Sequence, residues 1–415
     1  MKLMIDYSLP SVIWVGIMLF LMKIEARRQI NFRFNTPEFI SHINFLAGTD
    51  LEKMLHSDTL AYLLKKLPFE SLCKVRTKMI KNLIRNRTLE KFRLLDRYYM
   101  ISIDATGHLV FKDRHCPHCL VATRDGKPLY YYHNVLEAKL ITENGLALSV
   151  ATEFIENPSD VYDKQDCELR AFYRLAPGLK KAFPQLNICL LLDGIYAMEP
   201  TFKICKDYNW KYIVNFKEGS MPATFEEYEL LKPLHLENQA SVEIEKTNVR
   251  QVYNWVPDID YKGQYLLNIL ECNEYNPKKK SDKKETRFVW ATNIEIGHFN
   301  FKSIAKAGRC RWKTENEGFN IQKNGGYNLE HAYSQNILAG KNLYLLLQIA
   351  HIINQLMEKG SLLKHQIKKV YGSIRNIARK LLEDFRTKSV DKDYVVSILS
   401  GPFQIRFEFD LHPPP

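Results

Sequence analysis

Apolar positions along this chain follow two periods, and the change from one to the other marks its organisation. From Leu60 to Leu95 they recur at helical spacing, with no glycine and with Pro68 as the only breaker. Residues 1–95 therefore predict an α-helical N-terminal domain. At Tyr98 the pattern becomes that of strands. The run from Tyr98 to Asp104 is rich in β-branched and aromatic residues and ends in an acid shortly before Gly107, and strand-like runs follow around 130–141 and 146–155. Residues from Asp166 to about Phe183 read as a helix, with Leu169, Phe172 and Tyr173 at i, i+3 and i+4. Leu186 to Leu192 is apolar on both faces, as a buried central strand must be, and leads into Asp193-Gly194. A helix near Glu199–Asp207 and a strand near Tyr212–Phe216 complete the block.

This order predicts an α/β fold: a mixed sheet flanked by helices, whose first part spans 96–216. Acids follow its first and fourth strands, so Asp104 and Asp193 are expected side by side although far apart in sequence. Residues 217–297 alternate in β fashion and predict a β-rich insertion that carries a basic loop, Pro277 to Lys284. Helical spacing returns over 298–360, the second part of the core, and its last helix is strongly apolar. The region 361–415 is basic and is assigned no chemistry. Residues 12–22 are all apolar, but a bilayer span needs about 20 such residues. The flank Met22-Lys23-Ile24-Glu25-Ala26-Arg27 lacks the small-residue site of a signal peptide. A buried helix is the expectation, and no membrane partner.

Charge adds a partner. A formal net charge of +12 suits a polyanion, nucleic acid before anionic membrane. Cations crowd the predicted helices at Lys74, Arg76, Lys78, Lys81, Arg85, Arg87, Lys91, Arg93 and Arg97, with few acids between them, which predicts a phosphate-contacting surface. Eight cysteines are too few for a disulfide scaffold and imply a reducing compartment. Cys116 and Cys119 alone are closely spaced. They form half a zinc site, with His133 available as third ligand and His115 or His118 as fourth; a reduced turn between the first two strands is the plainer reading.

The richest stretch runs from Arg309 to Lys323: Arg-Cys-Arg-Trp-Lys-Thr-Glu-Asn-Glu-Gly-Phe-Asn-Ile-Gln-Lys. It resembles the glutamate-bearing helix of bacterial insertion-sequence transposases of the DDE, RNase H-like superfamily, in the subset with a β-rich insertion before the last acid. Arg311, Trp312, Glu315 and Lys323 match that helix in kind and order. Ile103-Asp104-Ala105-Thr106-Gly107 and Leu192-Asp193-Gly194-Ile195-Tyr196-Ala197 resemble the family's first two acidic motifs. Lys164-Gln165-Asp166-Cys167-Glu168 and Gly326 to His331 are also similar to family sequence, so the likeness covers roughly 98–340. Two departures stand out. Gly308 occupies a place where many relatives carry tyrosine, and the glutamate-to-lysine gap fits neither Glu315 nor Glu317 perfectly. At about 100° per residue Lys323 lies roughly 80° round a helix from Glu315 but about 120° from Glu317, and Phe319 lies near Glu315, which favours Glu315.

The resemblance implies an RNase H-like sheet and a DNA transposase that cuts phosphodiesters at transposon ends and joins them to target DNA. Asp104, Asp193 and Glu315 would hold two Mg²⁺ or Mn²⁺ ions, Asp104 bridging both, since hard cations take oxygen ligands. Arg311 and Lys323 would contact DNA phosphates. Double-stranded DNA, a homodimer assembled on it, and a cytoplasmic, nucleoid-associated location are the partners and place it implies. Rival readings are a nuclease that cuts without joining and an inactive DNA-binding relative. Asp166 and Glu168 open a predicted helix and read as capping residues.

Overall fold

The computed structural model describes residues 7–245, 247–279, 284–361, 363, 369–401 and 404–407. Of the basic loop, residues 280–283 lie outside the described residues. A ten-stranded sheet runs through the molecule. Its strands are β1 (Tyr99–Phe111), β2 (Leu120–Arg124), β3 (Lys127–Ile141), β4 (Ala147–Ile155), β5 (Ile188–Leu192), β6 (Lys211–Asn215), β7 (Gln239–Ile244), β8 (Val249–Tyr261), β9 (Tyr265–Tyr275) and β10 (Glu285–Thr292). They lie in the order β2-β3-β1-β5-β6-β10-β9-β8-β7, with β4 also paired to β3. β1, β3 and β4 are antiparallel neighbours, whereas β5 and β6 run parallel to β1.

One sequence expectation needs correction here. β1 does not end at Asp104; its ladder with β3 continues to Phe111, and only its ladder with β5 stops, at Ser102 opposite Leu191. The β-rich stretch after residue 217 extends the same sheet, because β10 pairs antiparallel with β6 from Trp290–Asn215 to Thr292–Ile213.

Alternation along the strands sorts side chains to two faces. Ile101 and Ile103 of β1, Leu190 and Leu192 of β5, and Val214 of β6 share a core with helices α6 (Glu168–Ala182) and α7 (Glu199–Tyr208), through Phe172, Leu175, Leu179, Phe202 and Cys205. Met100, Cys189, Leu191 and Ile213 point the other way, into a core with α9 (Phe301–Cys310) through Phe301, Ile304 and Ala305. Helix α8 (Pro222–Leu231) packs on β8. After α9 the backbone does not continue as α-helix: Thr314–Asn320 is π-helical and a short α10 (Ile321–Asn324) follows. Residues 325–336 are irregular, and α11 (Ile337–Lys359), the strongly apolar last helix of this region, follows them.

The N-terminal helices α1 (Leu9–Leu21), α2 (Ile30–Arg33), α3 (Pro37–Ala47), α4 (Ser57–Leu64) and α5 (Phe69–Arg85) share a core with α11. Ser8 caps α1, Pro10 occupies its first turn, and its apolar residues face inward nearly all round, from Val12 to Leu21. Among the described residues no helix is long and apolar enough to cross a membrane. Near the C-terminus α12 (Ile374–Thr387) packs on α3, and α13 (Lys392–Ser400) follows. A buried polar network ties α5 and α11 to the sheet. Arg76 donates to Ser149 and Thr152, Glu137 accepts from Ser149 and from Tyr344, and Lys139 donates to Gln348 at 3.1 Å. Arg76 is thus 2% exposed and is removed from the phosphate-facing set; Lys74, Lys78, Lys81, Arg85 and Arg87 remain exposed.

Candidate active site

The parallel register of β1 and β5 brings the first two acids together. Asp104 and Asp193 each lie two residues beyond the last pair, Ser102 and Leu191, and strand alternation turns both toward the face covered by α9. That helix delivers Arg311 at its C-terminal end. Arg311 lies between the acids, with Nη1 3.6 Å from Asp104 Oδ2 and Nη2 3.7 Å from Asp193 Oδ1. Its side chain is 11% exposed, so the charge is held in place rather than in solvent. Asn215, two residues past Ile213 on the same face, donates to Asp193 Oδ1 at 3.1 Å. The N–H of Ala105 donates to Asp104 Oδ1 at 3.2 Å.

Environment separates the two aspartates. Burial pushes the Asp104 carboxyl up to about 6; the Arg311 guanidinium opposes this, and the charges of Glu315 and Asp193 reinforce it. Burial would also raise Asp193, but the Asn215 bond, the Gly194 N–H and Arg311 together hold it below the usual carboxylate range. One acid is therefore poised to change charge near neutrality, and the other stays ionised.

Glu315 stands on the π-helical turn after Arg311. It is exposed at the mouth of the site, and its charge reaches Asp104. Glu317 points to the β3–β4 turn instead: a Cβ added at Gly145 would lie 3.5 Å from its Cδ. The α-helical wheel used to choose between the two acids does not apply to a π-helix. Metal-ligating side chains of any kind, His, Cys, Asp or Glu, converge elsewhere. Among the described residues, Cys116, Cys119 and His133 form the one group of three or more such side chains with ligand atoms within 4.8 Å of one another. Arg311 lies between the two aspartates, and Glu315 stands exposed on the turn that follows it.

Two close approaches shape the segment. A Cβ at Gly308 would lie 2.5 Å from Trp290 Nε1, which accounts for the missing tyrosine, since this backbone rests on the indole. A Cβ at Gly318 would lie 3.1 Å from Lys139 Cδ, and Phe319 is fully buried with Lys139 Nζ 4.9 Å from its ring. The π-helical turn is thereby seated on β3, beside Glu137, the cross-strand neighbour of Asp104.

Glu168 is the residue that sequence reasoning misplaced. It does not cap: α6 begins after Cys167 without a side-chain cap. Glu168 is half-buried, accepts from Tyr196 Oη at 2.7 Å, and is raised by burial and by the charges of Asp104 and Asp193, against the Tyr196 bond and Arg311. Its charge is coupled to those of both aspartates. The clue in the sequence was Tyr196, three residues after Asp193. Asp166 does not cap either. Arg174 grips it with two hydrogen bonds, at 2.7 and 3.2 Å, and it accepts from the Glu156 N–H. Lys323 forms an ion pair with Glu330 at 3.2 Å and is not brought against the aspartates.

Beside Asp193 opens a cleft of about 460 Å³ lined by Asn215, Lys217, Arg309, Arg311 and Trp312 among others. Trp312 is 53% exposed, an unusual setting for an indole, and Arg311 lies 5.2 Å from its ring centre. An acid pair, a fixed guanidinium and an exposed aromatic face suit a phosphodiester with its base alongside. No family model matches the chain, and no curated protein matches it.

Proposed function

We propose that this protein is a DDE-type DNA transposase with an RNase H-like core, cutting and joining phosphodiesters at the Asp104–Asp193 cleft. The observation that carries the reading is the parallel register that sets Asp104 beside Asp193, with Arg311 between them and Glu315 at the rim. Three antiparallel strands followed by two parallel ones, with helices between, form the mixed sheet this reading requires. The donor set fits a hard divalent cation, because every ligating group at the cleft is a carboxylate oxygen. The aspartates also already attract a cationic side chain. Asp104, Asp193 and Glu315 would hold Mg²⁺ or Mn²⁺, which when bound activates water and stabilises a departing oxyanion.

The chain's own residues perform the rest. Asn215 and the Ala105 N–H fix the carboxylate planes. Arg311 offers two N–H groups to a phosphate. Glu168, held by Tyr196, adds negative charge on the far side and so favours cation binding over an empty acid pair. Exposed cations on α5, at Lys74, Lys78, Lys81 and Arg85, and Arg87 just beyond it give duplex DNA a sequence-independent hold. Two ends joined in one event call for a dimer on DNA.

The test uses a donor plasmid carrying the protein's coding segment with its flanking DNA. With Mg²⁺ the wild type should cut at the flanks, and precut ends with a free 3′-hydroxyl should join a second duplex. Asp104→Asn should bind the same DNA and do neither. Cutting without joining would establish the nuclease reading, and binding without either, in Mg²⁺ and Mn²⁺, the inactive one. An Asp104→Asn protein that still cuts would refute the site.

A further inference from the structure

The turn between β1 and β2 holds a second constellation, of different chemistry. Cys116 Sγ lies 3.3 Å from Cys119 Sγ and 3.3 Å from His133 Nε2, and Cys119 Sγ lies 3.4 Å from the same nitrogen. A zinc tetrahedron with bonds of about 2.3 Å to sulfur and about 2.0–2.1 Å to nitrogen has edges of about 3.5–3.8 Å, so the three atoms need to open by only a few tenths of an ångström. Both cysteines are free thiols. Cys119 and His133 are buried and Cys116 partly so. The backbone closes into a tight turn: the Cys119 N–H donates to the Cys116 carbonyl. Two imidazoles flank the cluster on the same turn. His115 stacks on Phe111, and His118 Nδ1 bonds the Asn157 carbonyl at 2.8 Å, the anchorage that ligating histidines commonly show.

We infer that Cys116, Cys119 and His133 bind one zinc ion per chain, with an imidazole of the same turn as fourth ligand, and that this knuckle fixes the segment leading to α6. The soft sulfur and nitrogen set selects zinc over magnesium. The second half follows from Asn157. Its Nδ2 donates to the Cys119 carbonyl at 2.8 Å, its N–H to the His118 carbonyl at 3.2 Å, and its Oδ1 accepts from the Asp166 N–H at 3.0 Å. Gln165 clamps the far edge, accepting from the Val121 N–H at 2.7 Å. The knuckle thus grips the stretch that ends in Glu168. A zinc ion here is structural, and its binding is independent of any DNA chemistry.

Elemental analysis of full-length protein, purified without added metal and dialysed against a weak chelator, should give one zinc per chain. Cys116→Ser and Cys119→Ser should lose it, while Cys167→Ser, at an exposed cysteine elsewhere, should keep it. Should the ligand variants fail to fold, cobalt exchange into the wild type decides: thiolate-to-cobalt charge-transfer absorption should appear and should vanish on adding zinc. Removing zinc should accelerate amide exchange across residues 157–168 and leave β5 unchanged. Absence of stoichiometric zinc, no thiolate–cobalt band, or thiol counting that finds Cys116 and Cys119 joined as a disulfide would each overturn the inference. Zinc binding without any change in exchange at 157–168 would overturn its second half.

Discussion

The carboxylate cleft and the cysteine knuckle share strands β1 and β3 yet are built on opposite plans. In the knuckle, ligand atoms from a tight turn and the neighbouring strand already lie within 3.4 Å of one another. In the cleft, the aspartates stand apart with a guanidinium between them, and Glu315 waits at the rim. A structural metal site gains by being closed, because every coordination position then contributes to holding the fold. A catalytic one must leave room for substrate oxygens and for a change of coordination during reaction. On the proposed readings, the cleft keeps room for substrate and the knuckle is closed around its ion.

The largest effect that tests this contrast lies at the rim. Glu315→Gln should lower cleavage by about 10²–10³-fold, the scale for removing one group that stabilises developing charge, while Glu317→Gln should leave it within about threefold, less than 0.7 kcal/mol of barrier. Equal losses from both would mean that the π-helical turn matters as a unit and that Glu315 has no role of its own. Next, Glu168→Gln should slow cleavage by about tenfold, roughly 1.4 kcal/mol of barrier, and weaken Mn²⁺ binding with DNA affinity retained. An unchanged Mn²⁺ titration would reduce Glu168 to a partner for Tyr196. Asp166→Asn, between the two sites, should cost only about 1 kcal/mol in denaturant unfolding, because Arg174 is partly in solvent and its ion pair is screened. Its cleavage rate should stay unchanged.

The smallest effect concerns the polar core beneath both sites. Burial drives His351 well below its ordinary value of 6.5, and Gln322 and Gln355 lie within hydrogen-bond distance of its Nδ1. Its folded pKa is lower than its unfolded one, so the unfolded state takes up the proton first. The stability tied to the neutral ring is complete above about pH 6.5 and is lost as pH falls below it. His351→Gln should flatten the stability–pH curve in that acid range; an identical slope would show that other groups set it.

Much of this was legible from residue patterns. β5 announced itself as an apolar run ending in acid, α1 as a short apolar helix, and the Asp104–Asp193 pair followed from strand order. What escaped did so for physical reasons. Arg76 looks like its exposed neighbours on a wheel, and only the distant Ser149 and Thr152 give it a buried role. Glu168 sits where acids commonly stabilise a helix start, so local logic hid its tertiary one. β1 seemed to stop at Asp104 because its ladder with β5 ends two residues before it, at Ser102, although the ladder with β3 continues. The π-helical turn depends on Gly318 meeting Lys139 from another strand, which no local spacing encodes.

The packing of α1 against α11 bears on how the protein is made. The helix at 9–21 is covered by one at 337–359, so it must wait while everything between is synthesised. At about 5–20 residues per second that delay is tens of seconds, during which only α3 and α4 can cover part of an oily helix. A chain cut short before Ile337 never acquires its cover. The face of α1 that α11 covers is therefore closed only in chains translated past Lys359.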